Sequence, residues 1–292
     1  MRRRLHPRIL ALAALLTIAF TPFPLNAEVL DRGDEEGQRP DPDERPFVVL
    51  LGGLASIERD ATAADFADRG LLGLRIGFSK ERRLAEDETV RRFSARNLFV
   101  ERSSSEPADA SEEEIETSAW RFGLSDTDGE GYRIGTGALT VIGTHAGAMG
   151  WSFIDLEEDR LEETDPNAYR RIDPFLDHVR FGTSWRGGLR ISPHRNLAVQ
   201  ADYQRAILFP ATKGLDLILS NALEAIALAA IDPFLAEVAE RAPRAVPVLG
   251  FLFRGGILYG LYELRQENMH WPLDTAPPLS DDSFRFGIEV VF

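Results

Sequence analysis

Cysteine is absent from all 292 residues, which excludes disulfides, thiolate metal sites and a cysteine nucleophile. Lysine is nearly absent too. Lys80 and Lys213 are the only two, so almost all positive charge is arginine, the cation that forms forked, directional pairs with carboxylates. Positive charge of any kind is short, with 33 Lys and Arg against 47 Asp and Glu and a net charge of −14. That balance repels phosphate backbones and argues against a nucleic-acid partner. Walker-type and dinucleotide glycine motifs are missing, as are His-x-x-x-His pairs and acid-rich loops of metal-binding spacing, so neither cofactor nor metal is expected.

What is present begins with an export signal. Arg2, Arg3, Arg4 and Arg8 precede the apolar run Ile9 to Phe20, Pro22 and Pro24 end any helix, and Leu25-Asn26-Ala27 offers a small residue at a cut. The run is well short of the ~20 apolar residues of a membrane-spanning helix, so residues 1–27 read as a cleaved signal peptide rather than an anchor. Residues 28–46 are acidic, rich in Pro and Gly and nearly free of large apolar groups, which predicts a flexible lead. Residues 47–292 are enough for one large β domain.

One pattern recurs in that remainder: apolar, Arg, apolar, Gly. It occurs at Leu74-Arg75-Ile76-Gly77, Trp120-Arg121-Phe122-Gly123, Tyr132-Arg133-Ile134-Gly135, Val179-Arg180-Phe181-Gly182 and Phe284-Arg285-Phe286-Gly287. Each copy lies in period-two alternation, which puts two bulky groups on one strand face and Arg beside Gly on the other. The final strand is the clearest case. Phe284, Phe286, Ile288, Val290 and Phe292 share one surface, while Arg285, Gly287 and Glu289 share the opposite one.

A chain that starts with an export signal and ends on such a strand with a terminal Phe resembles the bacterial outer-membrane β-barrel proteins. The resemblance implies an antiparallel transmembrane β-barrel of about 8–10 strands in the outer membrane, closed by the strand carrying Phe284, Phe286, Ile288, Val290 and Phe292. It implies a lumen lined by Arg75, Arg121, Arg133, Arg180, Arg285 and Glu289, with Gly leaving room for guanidinium groups along the wall. The partners it implies are outer-membrane lipid and lipopolysaccharide, and the barrel-assembly machinery during biogenesis. A soluble periplasmic β-domain binding protein shows the same alternation and stands as an alternative, as does a narrow channel for small, anionic solutes. A structural or surface-interaction role leads.

The alternation predicts strands near 47–57, 70–82, 92–101, 117–125, 131–142, 145–155, 178–192, 196–208, 249–265 and 283–292, ten in all, with a hairpin turn at Ser125–Gly131. Acidic insertions at 103–116 and 157–177 read as outward loops. Around 214–243 the period becomes helical. Leu215, Ile218, Leu219, Ala222 and Ile226 follow one face, and Asp232 caps a second helix starting on Pro233, so a helical insertion is expected to pack against or into the barrel, or to lie at a membrane surface. Trp120, Trp151, Trp185, Trp271 and Tyr259 are candidates for an interfacial aromatic girdle. Enzymatic chemistry is not expected. Ser192 and His194 are close in sequence and Asp202 follows, but no active-site motif surrounds them.

Overall fold

Eight segments form strands, which send alternate side chains to opposite faces, and in β8 every second residue from Phe284 to Val290 is bulky and apolar. They are β1 (Arg45–Glu58), β2 (Arg69–Arg83), β3 (Val90–Ser104), β4 (Thr117–Arg133), β5 (Thr140–Leu156), β6 (Arg180–His194), β7 (Leu197–Leu208) and β8 (Leu279–Val291). The computed structural model describes residues 43–58, 66–84, 87–105, 115–135, 137–176, 178–210, 226–268, 271 and 278–292. The expected signal peptide, most of the acidic lead and the helix expected from Leu215 as far as residue 225 lie outside the described residues.

The strands pair antiparallel in chain order, and β8 closes on β1 with Phe47 opposite Val291. Following one line of partners from Phe47 through Gly77, Asn97, Ser125, Ala148, Ser184, Ala206 and Asp281 returns to β1 ten residues further on, at Ile57. At ~3.3 Å per residue and ~4.8 Å between strands, that stagger tilts the strands by about 40°. Both ends of the barrel chain, Arg45 and Val291, lie at the same mouth, where the connections β2–β3, β4–β5 and β6–β7 are short. The longer connections leave the other mouth.

The polarity is inside-out relative to a soluble protein. Leu50, Leu54, Leu72, Ile76, Phe78, Phe284, Phe286 and Ile288 all point outward and are more than half exposed. Arg69, Arg75, Glu101, Asp202, Arg285 and Glu289 point inward and are buried. A soluble β-sandwich would bury the first group against a second layer; among the described residues no such layer covers Phe284, Phe286 or Phe292, at 63–65% exposed.

The expected strand at 249–265 is instead a helix. Helix α3 (Asp232–Arg241) and helix α4 (Val246–Glu267) form the insertion between β7 and β8, which therefore extends past the expected boundary at 243. Phe251 to Gly260 satisfies either period, and three glycines there weaken the helical reading. Closure decides it: once eight strands have closed, a ninth outside the wall would have no ladder partner, whereas a helix satisfies its own backbone.

The expected turn at 125–131 is also corrected. Ser125 to Gly131 runs unbroken through the middle of β4, paired on both sides. Its acids fall at every second residue, so Asp126, Asp128 and Glu130 share the outward face while Ser125 and Thr127 face in. Alternation, not turn chemistry, was the informative signal. Of the ten segments, 249–265 is helical and 117–155 holds two strands instead of three, which leaves eight, within the expected 8–10.

At the long-loop mouth, α1 (Glu158–Thr164), α2 (Pro166–Ile172) and a 3-10 turn (Asp173–Phe175) fill the expected loop 157–177. Asp165 caps α2 by accepting from the Asn167 and Ala168 amides, with Pro166 at the first helical position. The sequence echo of Ile172–Leu176 in Ile231–Leu235 covers two different outcomes, a 3-10 turn in the first copy and the start of α3 in the second.

Candidate functional site

The interior is layered along the barrel axis. At the long-loop mouth, Leu161, Ala168, Ile172 and Phe175 of the cap pack onto Ile57, Ala119, Ile154 and Leu279. At the opposite mouth, Phe47, Val49, Leu51, Phe93, Ala95, Ile142 and Val291 form a second apolar layer. Between them lies a charged layer.

Arg285 organises that layer. Its Nη1 donates to Glu101 at 2.8 Å, and its Nε and Nη2 donate to one oxygen of Asp202 at 2.8 and 2.6 Å. Arg75 stands 3.4 Å from the other Asp202 oxygen and 3.7 Å from Glu101. Arg121 reaches toward Glu101 and Asp281 at 3.9 and 3.8 Å, and Arg69 donates to Asp281 at 2.5 Å and Ser103 at 3.0 Å. Among the described residues Arg186 bonds two hydroxyls, those of Ser125 and Thr127. Nearer the chain-termini mouth, Arg190 grips Glu289 at 2.7 Å and lies 4.4 Å over the Phe93 ring. Cross-linked cations and carboxylates from six strands leave little free space. The cavity between Arg121, Ser152 and Ser184 measures about 10 Å³, room for a single water.

Of the residues expected in the lumen, Arg75, Arg121, Arg285 and Glu289 lie in these layers. Arg133 and Arg180 do not. Arg133 ends β4 and donates to the Gly137 carbonyl in the adjoining turn, and Arg180 sits at the opposite rim, bonded to the Pro210 carbonyl. Both signatures fall where a strand ends, so their alternation has no wall to belong to. The glycine of the signature also has a different use. A Cβ at Gly77 or Gly123 would overlap a carbonyl of the adjacent strand, so these glycines let neighbouring backbones approach rather than house guanidinium groups. Sequence reading missed Arg69, Glu101, Arg186, Arg190, Asp202 and Asp281, none of which stands in a full copy of the repeat. Their only signal is inward parity.

A second polar constellation sits on the outside of the wall, beneath α4. Arg254 of α4 bridges Glu130 of β4 at 2.5 Å and Asp232 of α3 at 2.8 Å. Arg205 of β7 forks onto outward-facing Asp282 of β8 and pairs with Glu263 of α4. Between these ionic ends, Trp185, Ile207 and Phe209 of the wall pack against Leu258 and Tyr262. Gly250 brings the helix close, since a Cβ there would lie 2.8 Å from a Glu130 oxygen. Near one end of α4 the Tyr132 hydroxyl donates to the Arg244 carbonyl at 2.5 Å, and Arg244 donates to Asp87 in the β2–β3 turn. That carboxyl is held down to about 2, first by the Thr89 hydroxyl and amide and then by Arg244. The helix therefore runs the height of the barrel.

The aromatic candidates divide accordingly. Trp120 is 47% exposed, and Trp151 joins a ladder with Phe122, Phe181 and Phe209 near the long-loop rim, with ring spacings of 5.8 to 6.0 Å. Trp185 instead faces Tyr259 of α4 at 5.9 Å and belongs to the helix contact, not to a girdle. Ser192, His194 and Asp202 do not converge. Ser192 is buried, His194 is exposed at the β6–β7 turn, and Asp202 is held by Arg285 further up the barrel. Among the described residues no group of His, Asp and Glu is placed to hold a metal.

No protein-family model and no curated protein matches the chain. Solved structures similar to it include Neisserial surface protein A, 8% identical over 86% of this chain and 97% of that one, with a TM-score of 0.37. Two others are Ail, the attachment invasion locus protein of Yersinia pestis (9%, 86% and 99%, TM-score 0.33), and the outer membrane protein OprG from Pseudomonas aeruginosa (9%, 85% and 96%, TM-score 0.30). By its own strand order and inside-out polarity, the chain is a closed eight-stranded antiparallel barrel of the outer-membrane type, with a helical segment against its outer wall.

Proposed function

We propose that the protein is an integral outer-membrane barrel with a structural or surface-interaction role rather than a pore. The observation that carries this reading is the filled interior: an ion-paired layer closed above and below by apolar layers. Eight strands enclose little more than side chains, and here the inward arginines are held by carboxylates or hydroxyls instead of lining an open path. An even strand count, both chain ends at one mouth and the longer connections at the other support a periplasmic chain-termini mouth and an outward capped mouth. The outward cap is acidic, carrying Glu158, Asp159, Glu162 and Glu163 on α1, and so favours cationic surface partners.

The lipid-facing belt supports the membrane reading, because so much contiguous exposed apolar surface is incompatible with a water-soluble monomer. Helix α4 belongs to the same unit. Its 22 residues extend about 33 Å at ~1.5 Å each, enough for a hydrocarbon core of ~30 Å. It shields Glu130 and Asp282 on the wall, which would otherwise face lipid, and exposes Val248 and Leu252 in their place. Outer-membrane lipid and lipopolysaccharide are the proposed surroundings, and the barrel-assembly machinery the proposed partner in biogenesis.

Fractionation with heat-dependent gel mobility tests the reading, followed by planar-bilayer recording. A membrane-bound, heat-modifiable and electrically silent protein is expected. Release into osmotic-shock fluid with unchanged mobility would remove the barrel reading; steady unitary conductance would replace the plug with a channel.

A further inference from the structure

The register between β2 and β3 sets two arginine pairs side by side near the chain-termini mouth, Arg82 opposite Arg92 and Arg83 opposite Arg91. The second pair is balanced. Arg83 meets Glu88 at 3.2 Å and Arg91 meets Glu81 at 3.9 Å. The first pair is not. Arg82 and Arg92 share the outward parity of Ile76, Phe78 and Leu98, both are exposed, and neither makes an ion pair among the described residues. Arg96, on the same face of β3, is 75% exposed and makes a loose ion pair, at 3.8 Å, with Asp126 directly opposite it on β4.

Like charges directly opposite on neighbouring strands, ~5 Å apart, repel and weaken the pair. Two outward acids elsewhere on the wall are covered and paired, Glu130 with Arg254 and Asp282 with Arg205. Here Arg82 faces Arg92 with no acid of the described residues within ion-pair distance of either, although Arg92 also stands opposite Glu130, which Arg254 holds, and beside Asp128. The depth of the two arginines is informative. Phe78, 54% exposed, lies four residues along the same face of β2 toward the belt, so Arg82 and Arg92 stand just beyond the apolar edge, with Arg96 reaching back toward it. That is the level at which lipid phosphates lie, and a forked guanidinium pair matches a phosphate's oxygens.

We propose that Arg82 and Arg92, assisted by Arg96, bind the phosphate of an anionic glycerophospholipid in the leaflet on the chain-termini side. The site rests on the membrane reading above, and it goes beyond it by naming a lipid class and a leaflet. The anion relieves the Arg82–Arg92 repulsion while its acyl chains lie along Ile76, Phe78 and Leu98. The acidic stretch 28–42 is the rival occupant from within the chain, and it would leave the protein indifferent to lipid charge.

The test uses the full-length barrel in neutral detergent, titrated with phosphatidylglycerol or phosphatidylcholine and read by native mass spectrometry. A tenfold or greater preference for phosphatidylglycerol is expected, and R82Q/R92Q abolishes it. R102Q removes an outward arginine from the far rim, where Arg102 lies over Trp120, and leaves the preference intact. In parallel, phosphatidylglycerol raises the temperature of the heat-dependent gel transition for the parent protein and not for R82Q/R92Q. Equal binding of both lipids by the parent, or a preference that survives in R82Q/R92Q, overturns the proposal. Loss of heat-dependent mobility in the parent itself would instead overturn the barrel reading, so the two failures are distinct.

Discussion

Replacing Arg285 by Met removes the cation that two interior carboxylates share. Glu101 and Asp202 would keep Arg75, at 3.7 and 3.4 Å, and Glu101 would also keep Arg121 at 3.9 Å, but both would lose every charged hydrogen bond shorter than 3 Å. Breaking a buried pair by deleting one partner costs about 3–5 kcal/mol, because the surviving charge stays desolvated. Residual attraction from Arg75 and Arg121 sets the expectation at the lower end, about 3 kcal/mol, or roughly a hundredfold in the unfolding equilibrium. Urea unfolding of the reconstituted protein, followed by tryptophan fluorescence, measures the change. Adding Asp202→Leu to Arg285→Met should restore part of the loss, since Arg75 is then free to neutralise Glu101 alone. Arg133→Gln, at the β4–β5 turn, should stay within about 0.5 kcal/mol of the parent. A loss below 1 kcal/mol for Arg285→Met would mean that the two carboxylates reach bulk water, which refutes the plugged interior and reopens the channel.

Two further outcomes follow from the wall and its turns. With no native cysteine, spin labels at Leu72→Cys, Val248→Cys and Leu252→Cys report depth cleanly; each should be relaxed by oxygen far more than by a water-soluble nickel chelate, and the opposite ranking at 248 and 252 would place α4 outside the membrane. Asp87 should stay ionised down to about pH 2 when its titration is followed by NMR at the Thr89 amide. Because this folded-state value is depressed, its stabilising contribution is complete above the ordinary carboxylate range and is lost as pH falls through about 2; a midpoint near 4 would show that the Thr89 and Arg244 contacts do not form.

The sequence by itself determined the wall. Alternation at Leu74–Gly77, at Trp120–Gly123 and above all along β8 settled which side chains face out, because strand geometry has a fixed period of two and a slip of one residue would invert every face. The same rule contained the acids of β4, although Asp and Gly at Ser125–Gly131 carry turn propensity that hid their parity. Tertiary structure decided what parity cannot express. The β7–β8 register sets Asp202 opposite Arg285, but Glu101 of β3 meets Arg285 only across the lumen of the closed barrel. Closure also fixed the state of 249–265, an apolar run that reads equally well as strand or helix until no sheet edge remains for it to join. The outward charges Glu130, Arg205 and Asp282 make sense only once that helix lies over them, since a buried charge is tolerable where a partner from another element satisfies it.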